Sequence, residues 1–304
     1  MVQAAGLRLA WPSFTLGTVQ FGYPYGLSRT SVPQNDVGRT LARAWECGVD
    51  MLDTAPVYGN SEALIGAAMP ASASFEITTK TMALRLPEIT ATDVERVVRR
   101  ARQSAADLRV RRLEAILVHE AEDLLSPGSD LLMAGLRGLC AEGFVGRVGV
   151  SVYDPDTLDT ILSRHKVDIV QLPLNVFDQR FTQDDYLKRL VRQGIEIHTR
   201  SVFLQGLLLQ SADRVPAQFA AAAGTVARFH DYVASLSLSP VDGAILFAGS
   251  QEGVSRLVIG IDGVASLEAD IEAMAKASTF SQRADFSAFA IDDPKIIDPR
   301  RWTL

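Results

Sequence analysis

Short apolar runs recur along the chain, and each is followed by a stretch in which apolar residues return every three or four positions. The runs cover residues 14–18, 49–53, 75–80, 114–119, 147–151, 168–172, 195–199 and 257–260. They are too short for helices, rich in Val, Ile, Leu and Phe, and do not alternate strictly with polar residues, which predicts strands buried on both faces. The intervening segments carry helix-end signals. Thr92-Asp-Val-Glu95 reads as a capping box, with Val94, Val97, Val98, Ala101, Ala105 and Leu108 behind it at helical spacing. Asp154-Pro155 and Ser239-Pro240 each offer an N-cap followed by proline at the first helical position. Gly48 and Gly194 stand where helices should stop.

A βα unit repeated about eight times has two common solutions, an open doubly wound sheet and a closed barrel. Eight units rather than five or six favour closure, and the sequence holds neither a GxGxxG fingerprint nor a P-loop. The pattern therefore predicts an α/β fold, a (β/α)8 TIM barrel, with a short hairpin made by residues 7–11 and the first strand. The longest interval, between the seventh and eighth runs, should hold a loop over 210–216 and more than one helix. No linker interrupts the pattern, so residues 1–304 read as one domain.

Composition narrows the function. The 304 residues suit one barrel, and a hydrophobic share of 47% supplies an ample core. Thirty basic against thirty-six acidic side chains give a net charge of −6 with no basic run, which argues against nucleic-acid or anionic-membrane partners. Cys47 and Cys140 have no disulfide or zinc spacing and read as packed, reduced thiols. With no long apolar segment and no signal-peptide core, a cytoplasmic protein is expected.

In a barrel of this kind the chemistry belongs at the carboxyl ends of the strands. Strand two ends in Asp53, with Tyr58 in the loop behind it; strands three to six end in Lys80, His119, Ser151 and near Gln171. An ammonium beside a phenol would lower its pKa from about 10 toward the working range. Asp53 is the available counter-charge for Lys80, and His119 can orient a carbonyl by donating a hydrogen bond. Together these groups suit carbonyl reduction, with Tyr58 giving the proton. No side chain carries hydride, so a nicotinamide cofactor is implied. Singly, each residue has a plainer reading: a structural Asp–Lys pair, a surface tyrosine, a core histidine. Their joint placement at three adjacent strand ends favours the catalytic one. A Schiff-base lyase acting through Lys80 and a nicotinamide-binding regulatory or sensor subunit with little turnover are the alternatives.

The words Asp53-Thr-Ala-Pro-Val-Tyr58-Gly, Thr78-Thr-Lys80, Leu117-Val-His119 and Gly146-Arg-Val-Gly-Val-Ser151 resemble the aldo-keto reductase superfamily from Leu16 to about Met274. The resemblance implies an NADP-dependent oxidoreductase (NAD being the other option) acting on a small aldehyde, ketone or sugar. It assigns Tyr58 as proton donor, Lys80 and Asp53 as its tuners and His119 as substrate-orienting. It also implies cofactor contacts from Gly17, Thr18, Asp53, Ser151, Gln171, Arg200, Ser201, Val202, Leu204, Gly206, Gly260, Ser266 and Asp270. Three positions depart from the family's habit: Val152 where asparagine is common, Arg200 where an aromatic ring stacks on the nicotinamide, and Ser266 near the arginine that clamps a 2′-phosphate.

The remaining polar and aromatic residues have structural readings. His198 should be structural, His165 and His230 exposed on helices, and Glu142 and Arg147 surface charges. Trp11, Trp45 and Trp302 read as packing residues, with Trp302 a candidate for the substrate mouth. Tyr23, Tyr25 and Phe177 should rim the pocket, Asp178 should accept a substrate hydroxyl, and the tail after Phe280 is a candidate cover.

Overall fold

The structure, a computed structural model, describes residues 11–303. Of the first arm of the expected hairpin, residues 7–10 lie outside them. Eight strands, β1 Ser13–Gly17, β2 Met51–Asp53, β3 Glu76–Lys80, β4 Leu113–Val118, β5 Val145–Ser151, β6 Ile169–Pro173, β7 Glu196–Arg200 and β8 Val254–Gly260, close into an all-parallel barrel in sequence order. Around and above it lie α1 Val19–Gly22, α2 Val37–Glu46, α3 Ser61–Ala68, α4 Ala91–Asp107, α5 Ser129–Ala141, α6 Pro155–Leu162, α7 Tyr186–Arg192, α8 Ala220–Ser235, α9 Pro240–Gly249, α10 Val264–Ser278 and α11 Pro294–Ile297. The fold is the expected (β/α)8 barrel. β5 and β8 begin earlier than their apolar runs suggest, because Val145 pairs with Leu113 and Val254 with Ile197, and the strands then carry Arg147 and Arg256.

Those arginines explain the shape of the interior. Side chains alternate across a strand, so every second residue points inward. The register sets Ala115 beside Arg147, Leu117 beside Gly149, Gly149 beside Ile169 and Ile169 beside Glu196. Ala115, Leu117 and Ile169 form their own small apolar cluster inside the barrel, separate from the large core between strands and helices. A Cβ on Gly149 would lie 2.4 Å from the Ile169 carbonyl oxygen, so the inner wall has no room for a side chain there. Below this layer, Arg147 bonds Glu114 and Glu196, and Arg256 bonds Asp50. Arg147 is thus an inward ion-pair partner rather than the expected surface charge, because strand alternation turns it in; Glu142 stays exposed and pairs with Arg102. Above the layer, the same inward parity delivers Asp53, Lys80, Ser151, Gln171 and Arg200.

Helix ends follow local chemistry. Asp154 accepts the amide of Thr157 at 2.8 Å, and Ser239 and Asp242 form a full capping box at α9. At α4 the box uses Thr90 and Asp93, not Thr92 and Glu95: Asp93 accepts the Thr90 amide at 3.1 Å, and the chain is extended at Thr90. Thr92 already lies inside the helix. Gly48 and Gly194 end their helices at positive φ (83° and 76°), where a side chain would be strained. The expected loop over 210–216 is present, followed by α8 and α9.

Two of three histidines lie where surface polarity misleads. His198 is buried and bonds Glu196, as expected of a structural residue. His165 is also buried, its Nε2 within 3.2 Å of the Leu124 carbonyl and the Ser129 hydroxyl. His230 is half-buried, with Nε2 2.8 Å from the Leu208 carbonyl. His165 lies past the end of α6 and His230 on α8, and each meets a carbonyl from a segment distant in the chain, which a helical period alone does not reveal. Trp302 packs on Phe219 and bonds the Ile296 carbonyl, away from the cleft. Cys47 and Cys140 are free and half-buried. No single helix among the described residues is long and apolar enough to cross a membrane.

Candidate active site

A cleft of about 540 Å³ opens over the carboxyl ends of the strands. Asp53, Tyr58, Lys80 and His119 all line it. Lys80 is 1% exposed, and its Nζ donates to Asp53 Oδ1 at 2.6 Å and to the Thr54 carbonyl at 3.0 Å. Gln171 Nε2 donates to the other Asp53 oxygen at 2.7 Å. The backbone around Asp53 is fixed as well, since its carbonyl accepts both the amide and the hydroxyl of Thr18. Ser61 in turn bonds the Thr18 carbonyl at 2.9 Å, tying the start of α3 to the end of β1. A buried ion pair satisfied on every side in this way is held in one geometry.

Tyr58 reaches the pair from its loop. Lys80 Nζ lies 5.0 Å from the Tyr58 ring centre, and the Tyr58 and His119 rings meet edge to face at 6.1 Å. The loop is set by close backbone packing: a Cβ on Gly22 would stand 1.7 Å from the Tyr58 carbonyl oxygen, and Gly59 turns at φ 60° against Gly22. Sequence reasoning did not single out Gly22; its contact is with a residue far along the chain, so no local pattern signals it.

The electrostatics differ from expectation in one respect. Burial, then the charge of Asp53, pushes the Tyr58 phenol well above its ordinary value rather than down. Arg200 is the cation that opposes the rise, and the Lys80 ammonium is paired to Asp53. Lys80 is itself lowered by burial, against the pull of Asp53. His119 is brought down to about 3 by burial and by the positive charges of Lys80 and Arg200, so its imidazole is neutral at ordinary pH. A protonated phenol and a neutral imidazole N–H are both hydrogen-bond donors.

Every other expected cofactor-contact residue except one lines the same cleft: Gly17, Thr18, Ser151, Gln171, Arg200, Ser201, Val202, Gly206, Gly260, Ser266 and Asp270. Register explains the grouping, since Gly17 pairs with both Asp53 and Gly260, and Ser151 with Gln171. The exception is Leu204. Its side chain is fully buried in the outer core, because left-handed backbone at Leu204 and Gln205 turns it under the loop. Gln205 instead faces the cleft and donates to the Tyr25 hydroxyl at 2.9 Å, while its carbonyl accepts the Leu27 amide. These bonds tie the loop after β7 to the loop after β1.

The expected rim needs correction. Tyr23 and Tyr25 line the cleft, but Phe177 and Asp178 are fully buried. Asp178 is held by Arg180 at 2.8 Å and so presents no free acceptor to a substrate. Val57 and Tyr153 take their place at the opening. The Tyr153 ring is flanked by the guanidinium carbons of Arg200 at 4.0 Å and Arg300 at 3.8 Å. The C-terminal tail therefore buttresses the wall through Arg300 rather than covering the mouth. Tyr153 lies two residues beyond Ser151 and was accessible to the same strand-end logic.

The Aldo/keto reductase family model matches residues 13–288. The chain belongs to the aldo/keto reductase family. Among solved structures it is similar to a putative aldo-keto reductase from Pseudomonas aeruginosa, at 21% identity and a TM-score of 0.64, covering 91% of this chain and 95% of that one. It is also similar to the holo form of an aldo-keto reductase from Bacillus halodurans, at 14% identity and a TM-score of 0.72 over 99% of both chains. A glycerol dehydrogenase from Gluconobacter oxydans matches at 18% identity and a TM-score of 0.68, covering 93% of this chain and 91% of that one. None of the curated proteins matches. Membership makes this aldo-keto reductase an oxidoreductase of carbonyl compounds.

Proposed function

We propose that this aldo-keto reductase interconverts an aldehyde or ketone, sugars included, with its alcohol, using a nicotinamide dinucleotide held in the cleft. The observation that carries the reading is the meeting of the buried Lys80–Asp53 pair with the Tyr58 and His119 rings in one cleft. The cleft's residues fit such a group. Asp270 lines it with a carboxyl that is nine-tenths buried and makes no hydrogen bond to any described residue. Gly17, Gly206 and Gly260 put bare backbone along it.

Bound there, the dinucleotide supplies the hydride that the chain lacks. His119 donates to the carbonyl oxygen and polarises it, and Tyr58 gives its proton to that oxygen as the C–H bond forms at carbon. The phenol then recovers its proton from water. Lys80 and Asp53 hold the wall against which Tyr58 works, and Gln171 keeps Asp53 in place. A Lys80 Schiff base is disfavoured, since its nitrogen is buried and engaged by Asp53 and Thr54. The end of the cleft near Ser266 carries Asp262 and Asp270 with no cation among the described lining residues there. Two carboxyl groups suit a ribose diol better than a 2′-phosphate, which favours NAD(H) over NADP(H).

The test is Tyr58→Phe, which should lower turnover at least about a hundredfold, with dinucleotide affinity near that of the wild type. Turnover at the wild-type level removes Tyr58 from the role. Titration with both reduced dinucleotides reads the preference directly.

A further inference from the structure

Arg200 is an inward residue at the end of β7 that the mechanism above leaves unused. It is half-buried in the cleft wall. Its Nη2 donates to the Val152 carbonyl at 3.0 Å and its Nη1 to the Ser201 hydroxyl at 3.3 Å, both neutral partners. No carboxylate among the described residues lies within ion-pair distance of it. Stacking on Tyr153, which Arg300 backs from the tail, holds the plane of the guanidinium. Arg300 differs in having a partner, Asp298, at 2.9 Å.

The charge balance at the catalytic end follows. Lys80 is cancelled by Asp53 at 2.6 Å. Tyr58 is a protonated phenol and His119 a neutral imidazole. Arg200 is close enough to act on Tyr58, Lys80 and His119 alike. One positive charge therefore remains uncompensated where the redox-active ring must lie if it is to face Tyr58.

Resting on the function proposed above, we propose that Arg200 sets the redox-state preference of the site, so that the reduced dinucleotide binds more tightly than the oxidised one. The nicotinamide ring is cationic when oxidised and neutral when reduced, while the ribose and diphosphate parts are the same in both. The uncompensated guanidinium repels only the first. The same charge favours oxygen gaining negative charge at the carbonyl, so binding preference and reduction point the same way.

The experiment measures dissociation constants of both redox states at pH 7 for the wild type, Arg200→Gln and Arg200→Lys, using NADH fluorescence and calorimetry for NAD+. The ratio of oxidised to reduced dissociation constants should fall on the order of tenfold in Arg200→Gln, as expected for a unit charge a few ångströms away at intermediate dielectric. Most of that change should come from tighter NAD+ binding. Arg200→Lys, which keeps the charge, should hold the wild-type ratio. An unchanged ratio in Arg200→Gln overturns the inference, as does equal weakening of both states, which would assign Arg200 to the diphosphate. A wild type that binds neither dinucleotide overturns the parent reading itself, so the two failures are distinct.

Discussion

Replacing Gly22 with alanine adds one methyl group far from any reacting atom, yet it should disable the enzyme. The new Cβ would fall 1.7 Å from the Tyr58 carbonyl oxygen, 2.7 Å from its carbonyl carbon and 3.3 Å from the Ser61 amide nitrogen. Carbon and oxygen need about 3.5 Å, so one of the two backbone segments must retreat by more than 1 Å. Gly59, next to Tyr58 in the same loop, also packs on the Gly22 backbone, so the Tyr58 loop cannot keep its place against Gly22. A misplacement of that size at a catalytic group costs about a hundredfold in rate. The assay is kcat/KM for Gly22→Ala with whichever aldehyde of a panel the wild type reduces, alongside dinucleotide affinity and thermal melting. Gly224→Ala, at an exposed position of α8 with nothing within 4 Å of the added carbon, is the control. It should keep wild-type kinetics and gain about 0.5–1 kcal/mol from helix propensity. A Gly22→Ala enzyme within threefold of wild-type kcat/KM would refute the claim that this contact positions Tyr58.

Three further outcomes follow from the buried charges. Lys80→Met should cost about 3–5 kcal/mol in denaturant unfolding, because Asp53 is left charged and unpaired; the double variant with Asp53→Leu should recover part of it, and a lone Lys80→Met as stable as the wild type would contradict the pairing. The His119 imidazole, lowered to about 3, should show no titration by NMR between pH 5 and 8, whereas a midpoint near 6.5 would mean the ring is solvated. Because the unfolded chain takes up that proton first, His119 contributes stability above pH 6.5 that is lost as pH falls toward 3. Asp270 is raised to about 8 from 3.8, chiefly by burial and then by Asp262, so folding stability should fall as pH rises across that window. Asp270→Asn removes that slope, and a melting-temperature advantage that did not grow between pH 4 and 8 would show the carboxyl to be hydrated.

The barrel was legible because its determinants are local. Apolar runs of four to six residues, proline and aspartate at helix starts and glycine at helix stops are each set by neighbours in the chain. The polar residues that close those runs, Asp53, Lys80, His119, Ser151 and Gln171, could be placed at one end of a barrel as soon as the runs were read as parallel strands. What could not be read were properties that exist only between distant segments. The Tyr58 phenol rises instead of falling because the folded cleft buries it and sets the Asp53 charge nearby, while Lys80 is paired to Asp53 at 2.6 Å across two strands. Arg147 faces the barrel axis by strand parity, Leu204 turns beneath its loop through left-handed backbone, and Phe177 and Asp178 face the core in a loop held by the Asn175 side chain and Arg180. The sequence by itself determined the order of elements and which chemical groups stand at strand ends. Which of those groups are paired, and so which charge is left free in the cleft, was decided only by the tertiary structure, because Coulomb energy depends on separations of a few ångströms between residues far apart in the chain.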